Sequence, residues 1–339
     1  MRVVCLRGGF GLENLVVEER PDPPAPGPNE ILLAVRVAAL NYRDVSLARG
    51  TYDPHLAQRV ILGCDAVGEV LACGPGANRF AIGSRVCPTV ARGWHEGPPT
   101  RNTARQMLGG PLDGTLCDRL LLNEADAVRP PAHLSDEEAA TLGCAGVTAH
   151  RALFELATVG SGQRVLVIGT GGVSTFAIAL ARTAGAEVLV VSRDEGKLVK
   201  ALELGADQGV HSEKVRQWGL AIRQLTGSDG VDLVIEVGGA ATLEQSLKAV
   251  RAGGTIALIG HTPNSGPTPS LVPVVMREVR VQGVLVGPRS SFEALVRRIE
   301  TNAVRPVVDH VYKLDEIIDA FEYQASGMAF GKICVRLAN

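Results

Sequence analysis

None of the seven cysteines stands in a Cys-x-x-Cys pair. They are Cys5, Cys64, Cys73, Cys87, Cys117, Cys144 and Cys334, odd in number and scattered. Neither a disulfide framework nor a closed structural zinc site is expected, and most of these thiols read as small buried hydrophobes. There is no basic block, and a net charge of -2 offers nothing to nucleic acid or an acidic membrane surface. No apolar run is long enough to span a bilayer. The N-terminus, MRVVCLRGG, enters a strand-like pattern at once, without the apolar core and cleavage site of a signal peptide. A cytoplasmic location is therefore expected, with no nucleic-acid and no membrane partner. What remains is an ordinary globular composition, 46 % hydrophobic and 21 % charged. At 339 residues, two domains are the default.

The most informative stretch is 164–207. Val165 to Ile168 reads as a buried strand, followed by a turn holding Gly169, Gly171 and Gly172. Val173–Ala184 reads as a helix apolar or small all round, and Glu187–Val191 as a second strand ending in Ser192–Arg193–Asp194. This is a β-α-β unit with a glycine-rich first turn, the dinucleotide-binding pattern. Glycines let the backbone approach a pyrophosphate, and the helix aims unpaired N–H groups and its positive dipole end at that anion. Ser174 takes the usual third glycine position, so the helix is expected to stand slightly further from the strand.

Before this unit the chain is rich in strands and turns: Glu30–Leu40 after the proline-rich entry PDPPAPGPNE, then 61–73, then 86–89. Residues 92–115, with many Gly and Pro, read as a long surface loop or lid. Residues 134–154 turn helical, opened by the capping box of Ser135 and Glu138. After 164, strands and helices alternate through 231–237, a helix over 243–250, 255–259 and 279–286. That alternation predicts a parallel sheet with helices on both faces. The tail adds a helix from about Phe292, a strand over 307–312, an amphipathic helix over 314–325 and a closing strand from Lys332.

Over essentially its whole length the chain resembles the medium-chain dehydrogenases/reductases. The segments carrying the resemblance include LNYRD (40–44), ILGCDAVGEV (61–70), EEAATLGCAGVTAHRAL (137–153), GTGGVSTFA (169–177), GVDLVIEVGG (230–239), GGTIALIG (253–260) and FGKICV (330–335). The nearest branches are the zinc-free quinone oxidoreductases and the zinc-type alcohol dehydrogenase-like proteins without zinc. The resemblance implies an α/β fold: a Rossmann doubly wound parallel sheet over 146–287 and a discontinuous, β-rich GroES-like catalytic domain over 1–145 and 288–339. It also implies a homodimer with a small-molecule substrate.

In zinc-containing relatives, Cys, His and Cys ligands match Asn41, Cys64 and Cys144 here, the His being followed by a Glu where this chain has Asp65. Asn is a poor ligand for zinc, so no metal is expected; zinc on Cys64 and Cys144, with Asp65 or Asp44, is the alternative. Asn41 followed by Asp44 matches the zinc-free pattern. Without a Lewis acid, the accessible reaction is hydride transfer from NADPH to a quinone, enone or related acceptor. A zinc alcohol dehydrogenase and a non-catalytic NADPH-binding protein are the competing classes.

Tyr52 matches a tyrosine lining the acceptor site of quinone and enoyl reductases, where a phenol can donate the proton. Arg43 is a candidate to stabilise an oxyanion and Asn41 completes the catalytic set, with Tyr42, Cys64, Trp94 and Cys144 beside the substrate. The resemblance implies cofactor contacts from Asn41, Thr148, Gly169, Thr170, Gly171, Gly172, Val173, Ser192, Arg193, Lys197, His211, Gly238, Ile259, Gly260, His261, Val286, Phe330 and Lys332. NADP(H) is expected over NAD(H). The second strand ends in Ser192 and Arg193, not in the carboxylate that holds a ribose 2′-OH, and a guanidinium suits a 2′-phosphate. Asp194 and Glu195 are the opposing charges.

Overall fold

The computed structural model describes residues 1–57, 59–260 and 269–337. They divide into two compact units, Met1–Val147 together with the chain from Val286, and Thr148–Leu285. Among the described residues no helix is long and apolar enough to cross a membrane.

The second unit is a six-stranded sheet whose pairs are all parallel. From one edge to the other its strands are Gln208–His211, Glu187–Ser192, Arg164–Ile168, Val231–Glu236, Val250–Leu258 and Arg280–Gly283. The inner strands are apolar runs, not alternations, because helices cover both faces. Leu166, Leu189, Val234 and Ile256 bury against Trp218, Ile222 and Leu247. The order reverses after the first strand, and ligands of such sheets bind at the carboxyl edge of that switch point.

The first unit takes its sheet from both ends of the chain. Glu30–Leu40 pairs antiparallel with Asp65–Cys73, with Arg119–Asn123 and with the closing strand Lys332–Arg336. That closing strand pairs in parallel with Val308–Lys313. Ile31, Leu33, Val70, Leu122, Phe321 and Ile333 belong to one apolar core.

Several sequence expectations are corrected. The stretch 134–154 is not one regular helix. Asp136–Ala140 and Val147–His150 are α-helical, while Leu142–Gly146 and Arg151–Glu155 wind as wider π turns. The capping box is present, with Ser135 and Glu138 bonding each other's backbone N–H groups. The 92–115 segment is exposed only in its outer part; Met107–Gly110 and Thr115 are buried. A Cβ at Gly109 or Gly114 would meet the carbonyl oxygen of Gly63 at 2.5 or 2.1 Å. Contact between glycine backbones replaces apolar side chains here, and no periodicity announces it. The strand expected at 255–259 begins at Val250, and that expected at 279–286 is the short, fully exposed edge strand Arg280–Gly283.

Candidate active site

Asn41, at the end of the Glu30–Leu40 strand, caps the helix Tyr42–Ala48, and Asp44 Oδ2 accepts its backbone N–H at 2.8 Å. Sheet register brings three distant segments to this point. Leu40 lies opposite Ile333, and Ala39 opposite Asp65, so Lys332 and Cys64 arrive beside Asn41. The Lys332 ammonium is 2 % exposed. It donates to Leu40 O at 2.7 Å, Asn41 Oδ1 at 2.6 Å and Asp65 Oδ2 at 3.3 Å. Asp65 is fully buried and also accepts from Asn41 Nδ2 at 2.9 Å and from the Cys144 backbone N–H at 2.7 Å. The latter N–H lies in the first π turn. Asn41 Nδ2 further approaches Cys64 Sγ at 3.6 Å.

Burial works against the Lys332 charge, but Asp65 and the nearby thiols more than offset it, so its pKa is raised. The Cys64 thiol is pushed well above its ordinary value by its hydrogen bond with Cys144 and by burial. These residues do not fit zinc. The Asn41 and Asp65 oxygens are committed to an ammonium and to N–H donors, and the Asn41 amide is a poor ligand for this ion. Among the described residues no group of three or more His, Cys, Asp or Glu side chains is placed to hold a metal ion.

Around this core the candidates separate. Arg43 gives its two Nη groups to Leu108 O and Gly110 O and so ties down the inner loop, while its buried Nε has no partner among the described residues. Its guanidinium lies 5.4 Å from the centroid of the Tyr52 ring. Tyr52 is 41 % exposed and Tyr42 48 %, whereas Cys64 is buried and Cys144 half-buried. Trp94, expected beside the substrate, is 5 % exposed and its indole N–H donates to Gly97 O at 3.0 Å. His95 is held by Asp126 at 2.9 Å. Phe330 and Val286 are buried in this same unit. Lys332 was expected among the cofactor contacts, but its three N–H donors are spent within the unit.

In the second unit the expected cofactor residues gather along the carboxyl edge of the sheet. Ser192 and His211 end paired strands and lie opposite each other. Gly169, with φ 73°, follows the central strand and donates its N–H to Val191 O. A Cβ at Gly171 would meet nothing within 4 Å, so open space faces the turn. The helix Gly172–Thr183 starts there, with its first N–H groups free of intrahelical partners. At Ser174 the buried hydroxyl donates to Ile168 O at 2.8 Å and ties helix to strand. Gly238 and Gly260 flank Glu236, a buried carboxylate that accepts from Gly238 N, Gly239 N, Thr242 Oγ1 and Ser246 Oγ, while Gly260 N bonds its backbone oxygen. Ile259 N donates to that same Glu236 carbonyl. Thr148 is buried in this unit, Thr170 and Val173 lie in the glycine turn, and His261 lies outside the described residues.

The acidic neighbours of Arg193 are already engaged. Asp194 caps the helix Glu195–Leu204 by accepting from Lys197 N at 2.9 Å, and Glu195 pairs with Lys214 at 2.5 Å. Arg193 is exposed and has no acidic partner among the described residues.

This cradle and the discontinuous sheet agree with the comparisons. Residues 27–132 match the model of the alcohol dehydrogenase GroES-like domain, and 172–301 that of the zinc-binding dehydrogenase. A zinc-type alcohol dehydrogenase-like protein of Schizosaccharomyces pombe is 37 % identical over 96 % of both chains. An acryloyl-coenzyme A reductase of Metallosphaera sedula is 28 % identical over 98 % of this chain and 99 % of its own. The crystal structure of a putative alcohol dehydrogenase from Sinorhizobium meliloti superposes with a TM-score of 0.92 at 36 % identity, covering 99 % of this chain and 98 % of that one. The chain belongs to the medium-chain dehydrogenase/reductase superfamily, the oxidoreductases that use nicotinamide cofactors.

Asp44 offers a stability test. It is fully buried with Oδ1 unpartnered, and burial raises its pKa from 3.8 to about 6 against the pull of Arg43. The folded chain therefore keeps this proton where the unfolded chain releases it. Stability falls as pH rises from about 4 to 6, and a cost of at most about 3 kcal/mol stands in full above that range. Asp44→Asn keeps an acceptor for the Asn41 N–H and removes the charge. Urea denaturation at a series of pH values should find the variant close to wild type near pH 4 and more stable, by about 1–3 kcal/mol, at pH 7.5. A difference that does not change with pH would contradict this origin.

Proposed function

We propose that the protein is a zinc-independent, NADPH-dependent reductase of small molecules carrying a polarised C=C bond or a quinone. One observation carries this reading: the oxygen donors of the Asn41 cluster are already committed to the Lys332 ammonium. Without a Lewis acid to polarise a simple alcohol or aldehyde, an acceptor activated by its own conjugation is the easier one to reduce. The bound nicotinamide supplies the hydride. The protein's task is to bind, orient and protonate.

Binding falls to the Gly169–Val173 turn, whose open face and free N–H groups suit a pyrophosphate. Arg193 suits a 2′-phosphate, with Lys197 and His211 beside it, since neither Asp194 nor Glu195 competes for it. Protonation falls to Tyr52, exposed and with no hydroxyl partner among the described residues. The acryloyl-coenzyme A reductase among the relatives supports reduction of a C=C bond. Those named alcohol dehydrogenase, one of them NAD-dependent, favour alcohols or aldehydes as substrates and NAD(H) as cofactor instead. An NADPH-oxidation screen over quinones, enones, enoyl thioesters and aldehydes, with and without chelator, separates them. Turnover of an enone or quinone that survives chelation supports the reductase; turnover confined to alcohols and aldehydes and restored by zinc overturns it.

Arg193→Ala should weaken NADPH binding by about ten- to a hundredfold and leave NADH binding unchanged, read by fluorescence titration of each. Equal losses for both would remove Arg193 from the 2′-phosphate. Tyr52→Phe should lower kcat by about a hundredfold or more with little change in cofactor affinity. Unchanged turnover would assign the proton to solvent.

We also read the protein as a homodimer. The edge strand Arg280–Gly283 is exposed along its length, and Leu271, Val272, Val275 and Met276 lie 63–75 % exposed just before it. An open edge beside an apolar patch calls for a partner. Sedimentation at micromolar concentration should show a dimer, and a monomer would exclude it.

A further inference from the structure

Lys332 stands at the start of the closing strand, directly after Phe330–Gly331. Any cation at this point meets the same surroundings: Leu40 O, Asn41 Oδ1 and Asp65 Oδ2, within 2.6–3.3 Å of the ammonium nitrogen. An ammonium has three N–H donors, and all three find acceptors here. Asp65 is buried, and its carboxylate would be an uncompensated charge without a cation. Both ends of the Asn41 amide are also fixed, the oxygen by Lys332 and the nitrogen by Asp65. Cys64 and Cys144 complete the ring, one through its sulfur against Asn41 and the other through its backbone against Asp65.

We propose that Lys332 is a built-in cation filling the position around which Asn41, Cys64, Asp65 and Cys144 are arranged, and that it keeps divalent metal out of this cluster while fixing the Asn41 amide. Lys332 is thus a positioning residue. The proposal rests on the zinc-independent reading and names the residue responsible for it. Removing the ammonium leaves Asp65 without its cation beside two thiols, a harder and a softer donor together. That combination attracts cobalt or zinc.

The test is a Co²⁺ titration of wild type, Lys332→Met and Lys332→Arg, read by the thiolate-to-cobalt charge-transfer absorption, with circular dichroism to confirm folding. Wild type and the arginine variant should show no band. The methionine variant should bind cobalt at least a hundredfold more tightly than wild type, and Cys64→Ser should remove its band. Lys332→Gln, which loses the charge but keeps an amide, is the second route if the methionine variant does not fold, and the same gain is expected. If wild type itself binds cobalt stoichiometrically through Cys64, the zinc-independent reading fails. If wild type binds none and folded neutral variants gain none, that reading stands and the role of Lys332 is overturned. If no neutral variant folds even with metal present, Lys332 serves stability alone and the proposal is equally overturned.

Discussion

The buried ion pair of Lys332 with Asp65 is the constraint on which the first unit depends. Its partners come from opposite ends of the sequence and meet only because the closing strand and Asp65–Cys73 flank Glu30–Leu40 on its two sides. A buried pair of this kind contributes little by itself, since desolvation offsets most of the attraction. Its force lies in the alternative. Separating the strands would leave a carboxylate and an ammonium in an apolar interior, each without a partner. Register, Asn41 orientation and charge balance are therefore settled together. The Cys144 N–H given to Asp65 extends the same network into the π turn.

A comparable arrangement holds the second unit's binding edge. Glu236 is fully buried, and burial raises its pKa against the opposing hydrogen bonds of Ser246 and Thr242. Its four donors organise the turn after the fourth strand and the start of the helix Ala240–Ala249. A Cβ at Gly260 would lie 1.9 Å from Val237 O, so two backbones touch beside this carboxylate. Both units thus bury an acid. In the first its charge is paired with the Lys332 ammonium, and in the second it is surrounded by uncharged N–H and O–H donors.

The sequence made the second unit legible because its signals are local. Apolar runs, a glycine turn and a polar strand end lie within some forty consecutive residues, and the predicted strands differ from the observed ones by a few positions, except where the fifth begins early at Val250. The first unit was less legible for a matching reason. Its defining contacts join Asn41 to Lys332 and Gly63 to Gly109 and Gly114, and neither periodicity nor propensity spans such separations. Lys332 and Arg43 read as site residues because motifs hold charges, and the structure spends both charges inside the fold. One available signal was missed. A lysine inside the apolar closing strand, KICV, has to find a buried partner, and Asp65 sits in an equally apolar segment.

The commitment of polar groups to the fold also bears on chemistry. Asn41, Asp65 and Lys332 have spent their donors or acceptors on the fold, as have both Nη groups of Arg43, and Asp194 and Glu195 have done so at the binding edge. Tyr52 and Arg193 have not, among the described residues. The Tyr52 ring lies beside the Arg43 guanidinium, and Arg193 follows the end of the strand Glu187–Ser192 without an acidic partner there. On the zinc-independent reading proposed above, a site with a phenol donor and no Lewis acid stabilises a developing oxyanion less than a metal ion would, so an unactivated carbonyl is the harder acceptor. Such a site can complete a reduction in which the acceptor spreads the incoming charge over its own π system, because only the final protonation then remains for the protein to supply.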